Sequence, residues 1–182
     1  MKIKGQNFTV KKIICLFLYY AVARYLPLSF FFFNIGGKIR RFLCKRIFLR
    51  CGNNVNIERG AFFGSGINVE IGDNSGIGVN CTIPNNTIIG RNVMMGPNCY
   101  ILDKNHDFSR TDIPMIEQGF TDRKRTVIGD DVWIGRNVTI MPGRNIKKGS
   151  IIAACCCLTK DFPEYSIIGG VPSKLIKSRI DY

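Results

Sequence analysis

Histidine is nearly absent from this chain: its 182 residues include one, His106, together with one tryptophan, Trp133. A single imidazole excludes a three-histidine zinc centre. Acidic side chains are missing from residues 1–50, which hold 11 Lys or Arg and no Asp or Glu. The other 132 residues carry the remaining 15 basic groups against all 13 acidic ones, so the net charge of +13 belongs almost wholly to the first fifty. The body, at +2, has no basic–aromatic RNA motif, which argues against nucleic acid as a partner. Metal-ligand spacing is missing too, since the eight cysteines (15, 44, 51, 81, 99, 155, 156 and 157) form no CxxC and no Cys/His pattern. Three consecutive cysteines cannot all reach separate disulfide partners. The set reads as small apolar side chains in a reducing, cytosolic-facing compartment.

Apolar residues, by contrast, crowd the N-terminal stretch. Residues 13–23 (IICLFLYYAVA) follow Lys11 and Lys12 without a polar break other than tyrosine, and the run resumes after Arg24 to Phe33. A spanning helix needs about 20 apolar residues, but Arg24 and Pro27 interrupt this one. A cleaved signal fits less well, because basic and apolar residues follow Ala21-Val22-Ala23. In residues 38–50, Ile39, Phe42, Leu43 and Ile47 recur at helical spacing, with Lys38, Arg41 and Lys45 on another side. Residues 1–50 are therefore expected to form a helical, partly apolar extension. It would either lie on an anionic membrane surface, making the protein peripheral at the cytoplasmic face, or cap the main domain. Its removal is expected to leave the repeats intact.

From residue 57 a bulky apolar residue returns every sixth position: Ile57, Phe63 and Val69, then, after a two-residue shift, Ile71, Ile77, Ile83, Ile89, Met95 and Ile101. A second run is Ile128, Ile134, Ile140, Ile146, Ile152 and Leu158. Four positions after the anchor stands a small or β-branched residue, as at Ala61, Ser75, Cys81, Thr87, Val93, Cys99, Val132 and Val138. Neither the helical period nor strand alternation gives a strict six. Hexapeptide spacing is the mark of a parallel β-helix, whose stacked coils bury the periodic aliphatics in one column. The expected organisation is an extension at 1–50, an all-β repeat domain at 51–164 and a tail at 165–182. A loop inserted at 102–127 breaks the beat, as function-bearing insertions do, and it contains His106.

The hexads IGDNSG, IGRNVM and IGDDVW, the run IGRNVTIMPG and the ending TKDFPEYSIIGGVPSKLIKSR resemble the hexapeptide-repeat acyltransferases over residues 51–179. Within that superfamily the chain is most similar to the maltose, nodulation-factor and colanic-acid O-acetyltransferases. The stretch MMGPNCYILDKNHDFSRTDIPMIEQG, with the basic N-terminal segment, resembles those of polysaccharide biosynthesis. The resemblance implies a left-handed parallel β-helix with a short C-terminal helix, assembled as a homotrimer with its active sites between neighbouring copies. It implies acetyl-CoA as co-substrate, no metal, and a hydroxyl of a sugar or lipid-linked glycan as acceptor, in capsule, O-antigen or exopolysaccharide synthesis.

Site residues follow from the same resemblance. His106 takes the place of the family's general base, and transfer from a thioester needs a group that accepts a proton near neutral pH. Asn80 matches an asparagine facing the acceptor hydroxyl, a coil corner being its other reading. Asp103, Asp107 and Glu117 are candidates to orient His106 or bind the acceptor, or are solvated loop acids. Trp133, Gly135, Ala153 and Ala154 would border the pantetheine channel, while Lys160 and Lys177 would meet the phosphates of coenzyme A. One histidine excludes the γ-class carbonic anhydrases, which share the fold. Cys155–Cys157 replace the family's Gly-Ser-aliphatic sequence and have no second histidine to activate them as nucleophiles. Two other readings stay open: an acetyltransferase for an antibiotic, serine or a sugar-nucleotide amine, and a membrane-docked scaffold without catalysis.

Overall fold

A six-residue beat has room for a two-residue strand and a four-residue corner. The computed structural model, which describes residues 2–3, 6–7 and 9–180, stacks these strands into a parallel β-helix with three faces. The first face consists of Arg50–Cys51, Glu70–Ile71, Ile88–Ile89, Val127–Ile128 and Asn145–Ile146. The second runs through Asn56–Ile57, Gly76–Ile77, Met94–Met95, Trp133–Ile134, Ile151–Ile152 and Ser166–Gly169. On the third, Phe62 and Thr82 bridge to Tyr100–Ile101, followed by Thr139–Ile140 and Cys157–Leu158. Glu70 pairs with Ile88 and Val127 with Asn145, so one coil is 18 residues, or three hexads. The step is 20 between Arg50 and Glu70, which absorbs the two-residue shift, and 39 between Ile88 and Val127, which absorbs the loop.

Strand side chains alternate between faces, and here the second residue of each two-residue coil strand points inward. All of the periodic anchors from Ile57 to Leu158 are buried, as are the small residues four positions later. Three of those small residues also tie coils together. Ser75 Oγ donates to the Gly90 carbonyl (2.7 Å) and accepts from the Val93 amide (3.0 Å). Cys81 does the same with Gly96 (3.1 Å) and the Cys99 amide (3.3 Å), and Cys99 Sγ donates to Gly135 (3.1 Å). All eight cysteines are free, and five of them are buried. Their use in the coils is packing and coil-to-coil bonding.

Each corner needs a residue with positive φ, a conformation that asparagine tolerates better than other residues bearing a side chain, glycine apart. Asn68, Asn74, Asn80, Asn86, Asn92 and Asn98 supply it at six-residue intervals. Their amides form ladders along the axis, such as Asn98 Nδ2 to Asn137 Oδ1 at 3.1 Å. The next rung of that ladder is Cys155, at φ +61°. Cysteine there carries left-handed strain of about 1–2 kcal/mol without asparagine's compensating bonds. Cys155→Asn is expected to raise stability by about 1 kcal/mol, seen as a Tm increase of roughly 2–4 °C.

Two helices close the first coil. Helix α1 (Val10–Ala21) starts at Thr9, whose hydroxyl accepts from the Lys12 amide (3.2 Å), and helix α2 (Ile35–Ile47) packs beside it. Tyr19 Oη donates to the Ala61 carbonyl (2.9 Å), Tyr20 Oη to Gly64 (2.7 Å) and Arg24 Nε to Gly60 (3.1 Å). The Tyr19 ring packs tilted against the buried Phe63, and Phe48 meets it edge-on. The extension and the first coil therefore share one core. The extension thus caps the first coil, as one of its two expected roles required, and its removal would uncover Ile57, Ala61 and Phe63. The α2 face is also partly reassigned. Leu43 and Ile47 are buried as expected, but Ile39 and Phe42 face solvent, and Arg40 takes the inward place.

The expected C-terminal helix is replaced by a hairpin among the described residues. Ser166–Gly169 adds in parallel to Ile151–Ile152, and Lys174–Ser178 returns antiparallel to it. Ile167 and Ile168 favour extended backbone, Gly170 turns at φ +92°, and Pro172 denies a helix the amide it needs.

Candidate active site

The inserted loop is built around His106. Residues 105–107 pair antiparallel with 119–121: His106 bridges Phe120, the Thr121 amide donates to the Asn105 carbonyl (2.9 Å), and the Asp107 amide donates to Gly119 (3.1 Å). The imidazole packs on the Phe120 ring, centroids 4.3 Å apart, and the Lys104 ammonium sits 3.2 Å from the centroid of that same ring. The histidine itself is exposed at the edge of a cleft of about 510 Å³. Phe62, Thr82 and Tyr100, the outward residues of the third face, form its floor, and Asn85, Asp103 and Arg123 its sides.

Two of the three carboxylates proposed as orienting partners are engaged elsewhere. Asp103 pairs with Arg123. Asp107 accepts from the Ser109 amide (2.9 Å), which holds its carboxyl below the usual carboxylate range. Glu117 lies exposed in a four-residue helix, α3 (Met115–Gln118), outside the cleft lining. Asn80 is a corner residue at φ +54° and is likewise not part of that lining. Asn85 stands there instead, its Oδ1 accepting from the Ile67 amide (3.1 Å) and Ser65 Oγ (3.2 Å). Sequence reasoning missed Phe62, Thr82, Tyr100 and Phe120. The first three were legible, since each precedes an anchor and so must point outward.

A second hollow, about 550 Å³, lies on the second face at the corner leading to the third. Trp133, Gly135, Ala153 and Ala154 all line it, joined by Gly96, Pro97 and Arg136. Gly135 is required by close approach: a Cβ there would sit 2.5 Å from the Ala154 amide nitrogen. Trp133, half exposed, pairs in register with Ile151, which pairs with Ile167, which in turn faces Lys177. Lys177 thus ends an outward row that passes from Met94 through Trp133. Lys160 is exposed, its ammonium 5.5 Å from the Phe162 ring, and it is not part of the lining. The cleft and the hollow occupy different faces of one chain.

A family model described as bacterial transferase hexapeptide (six repeats) matches residues 68–103 and 125–160, the two runs on either side of the loop. Over those two runs the chain carries the hexapeptide repeat of bacterial transferases. Among solved structures, a galactoside acetyltransferase in complex with coenzyme A superposes with TM-score 0.77 at 29% identity, over 92% of this chain and 80% of that one. A maltose O-acetyltransferase from Clostridium difficile 630 gives 0.73 at 26% identity, over 92% and 86%. In sequence, a chloramphenicol acetyltransferase of Agrobacterium fabrum is 40% identical over 77 residues, 41% of this chain and 37% of that protein. A protein of Escherichia coli K12 named "Putative lipopolysaccharide biosynthesis O-acetyl transferase WbbJ" is 34% identical over 90 residues, 46% of each. The hexapeptide-repeat chain thus spans less than half the length of these two curated relatives.

Proposed function

We propose that this hexapeptide-repeat protein is an acetyl-CoA-dependent O-acetyltransferase acting on a sugar hydroxyl of a cell-surface polysaccharide or its lipid-linked precursor. The observation that carries the reading is the pairing of a glycine-floored, Trp133-walled hollow with a single exposed histidine at the rim of an aromatic cleft. The galactoside acetyltransferase that shares the fold binds coenzyme A. In our reading the pantetheine arm lies in the hollow between Trp133 and Ala153–Ala154, where the side-chain-free Gly135 exposes backbone, and Lys177 and Lys160 serve the phosphates. The name of the Escherichia coli relative supports the polysaccharide acceptor.

The chemistry assigned to the site is direct transfer. His106 accepts the proton of the acceptor hydroxyl as its oxygen bonds to the thioester carbonyl carbon. The C–S bond then breaks, the acetyl group remains on the sugar as an ester, and the imidazolium returns its proton to the departing thiolate. Backbone amides bordering the hollow receive the transient oxyanion, a contribution of about 3–4 kcal/mol per donor in comparable sites. Tyr100, Phe62 and Phe120 offer flat apolar walls for the sugar ring, and Asp103 and Asn85 offer hydrogen bonds to its hydroxyls. Because cleft and hollow lie on different faces, we assign the complete site to two adjacent copies in a homotrimer, the cleft of one facing the hollow of the next.

Thiol release from acetyl-CoA, measured across a panel of acceptors, tests the reading. Sugar hydroxyls are expected to outpace chloramphenicol, serine and an amino sugar nucleotide, and the reverse order would move the chain to the antibiotic or N-acetyl class. Trp133→Ala is expected to raise KM for acetyl-CoA about tenfold, the loss of roughly 1.4 kcal/mol of contact, while leaving KM for the acceptor unchanged. Equal rises in both would place Trp133 outside the channel.

A further inference from the structure

Apart from Lys11 and the buried Lys12 in its first turn, helix α1 is apolar on both sides. Its inward side, centred on Cys15 and Tyr19, packs on the first coil. The opposite side carries Val10, Ile13, Ile14 and Phe17, each more than half exposed, and there is no charged residue between Lys12 and Arg24. A surface helix normally sets polar residues opposite its buried stripe, and a helix apolar all round has a second apolar neighbour. The apolar exposure continues after the helix, with Phe30 74% exposed and its ring against that of Phe31 (4.4 Å). On α2, the side turned away from the core mixes Ile39 and Phe42 with Lys38, Lys45 and Arg46, whose guanidinium lies 3.7 Å from the Phe42 ring centre.

We infer that the outer side of this helical pair docks on an anionic lipid bilayer, lying in the interface rather than crossing it. No helix among the described residues is long and apolar enough to span. Charge complementarity selects the occupant. Residues 1–50 carry 11 basic side chains and no acidic one. Lys12 and Arg40 are buried, but exposed Lys11, Lys38, Lys45 and Arg46 attract an anionic headgroup layer, while a second copy of the same segment meets repulsion. The arrangement is that of interfacial helices, with aromatic and aliphatic side chains entering the acyl boundary and lysines remaining at headgroup level. None of these residues lines the cleft or the hollow, so the docking stands apart from the acetyltransferase reading.

The full chain is to be sedimented with phosphatidylcholine vesicles and with phosphatidylcholine vesicles containing phosphatidylglycerol. Tighter binding to the anionic vesicles is expected, retained in part at high salt because the apolar contribution is not screened. Ile13→Glu/Phe17→Glu changes exposed positions and is expected to lower anionic-vesicle binding at least tenfold with an unchanged melting temperature. Lys38→Gln/Lys45→Gln is expected to lower it about fivefold per lysine, with the loss confined to low salt. The inference is overturned if the wild type stays in the supernatant with both lipids, or if the Glu pair binds as well as the wild type. It is equally overturned if, without lipid, the wild type forms a larger assembly that the Glu pair abolishes. In that case the apolar side joins two copies of the chain.

Discussion

His106→Ala is expected to lower kcat/KM for acetyl transfer by about 10²–10⁴-fold, the usual worth of a general base, while KM for acetyl-CoA and the melting temperature stay near the wild-type values. The split matters because the imidazole is exposed and its ring contact is Phe120, so removing it disturbs no core. Thiol release under saturating acceptor provides the measurement, and near wild-type turnover would reassign proton transfer to another group. A mixing experiment extends it. His106→Ala subunits keep the hollow and Trp133→Ala subunits keep the cleft. Refolded together, they are expected to recover activity, at limiting acetyl-CoA, that neither shows alone. No recovery would confine each site to one chain.

The column of the β-helix was readable because a strict six-residue beat leaves only one way to bury every anchor. Ile57 through Leu158 all point inward, and even the two-residue shift at Val69 and Ile71 reappears as a 20-residue coil step. What the hydrophobic beat alone did not convey was a second, polar one. Asn68, Asn74, Asn80, Asn86, Asn92 and Asn98 keep the same interval, and each holds positive φ. That periodicity accounts for Asn80 as a corner residue. The C-terminal hairpin was not readable in the same way. Its strand at Lys174–Ser178 pairs antiparallel, outside the repeat, and its apolar residues Leu175 and Ile176 stay exposed, so no burial pattern announced it.

The hollow was more legible than the cleft for a physical reason. Trp133, Gly135, Ala153 and Ala154 lie on successive coils, so the repeat itself fixes their distance. The cleft depends on a loop with no period, where pairing of residues 105–107 with 119–121 decides which side chains meet His106. That pairing chose Phe120, and it left Asp103 to Arg123 and Asp107 to the Ser109 amide. Composition alone cannot rank three nearby carboxylates against one another.

The extension misled sequence reasoning at Arg40, and the reason yields the largest stability effect expected in the molecule. Arginine is among the residues least often fully buried, so a basic helix face reads as solvated. Arg40 is nevertheless 0% exposed. Its Nε donates to the Ile57 carbonyl of the first coil (2.5 Å), and its terminal nitrogens donate to Leu26 (3.0 Å), Pro27 (3.1 Å) and Ala23 (3.3 Å). Glu58 lies 3.8 Å away. Burial pushes its carboxyl up, but bonds from Ser29 and Asn56 and the Arg40 charge outweigh that and hold it below the usual range. One planar fork thus satisfies carbonyls from the α1–α2 connection and from the coil together, a pattern that a lysine ammonium cannot match. Arg40→Met fills the space but leaves those carbonyls and Glu58 without their donor, at an expected loss of about 3–5 kcal/mol. Thermal unfolding should fall by roughly 10–15 °C, and Arg40→Lys should recover only part of it. The wild type should also lose stability as pH falls through the lowered Glu58 range, a dependence weakened in Arg40→Met because the charge that holds the carboxylate ionised is gone. A melting temperature unchanged in Arg40→Met would mean that the helices close the coil through Tyr19, Phe48 and Phe63 alone.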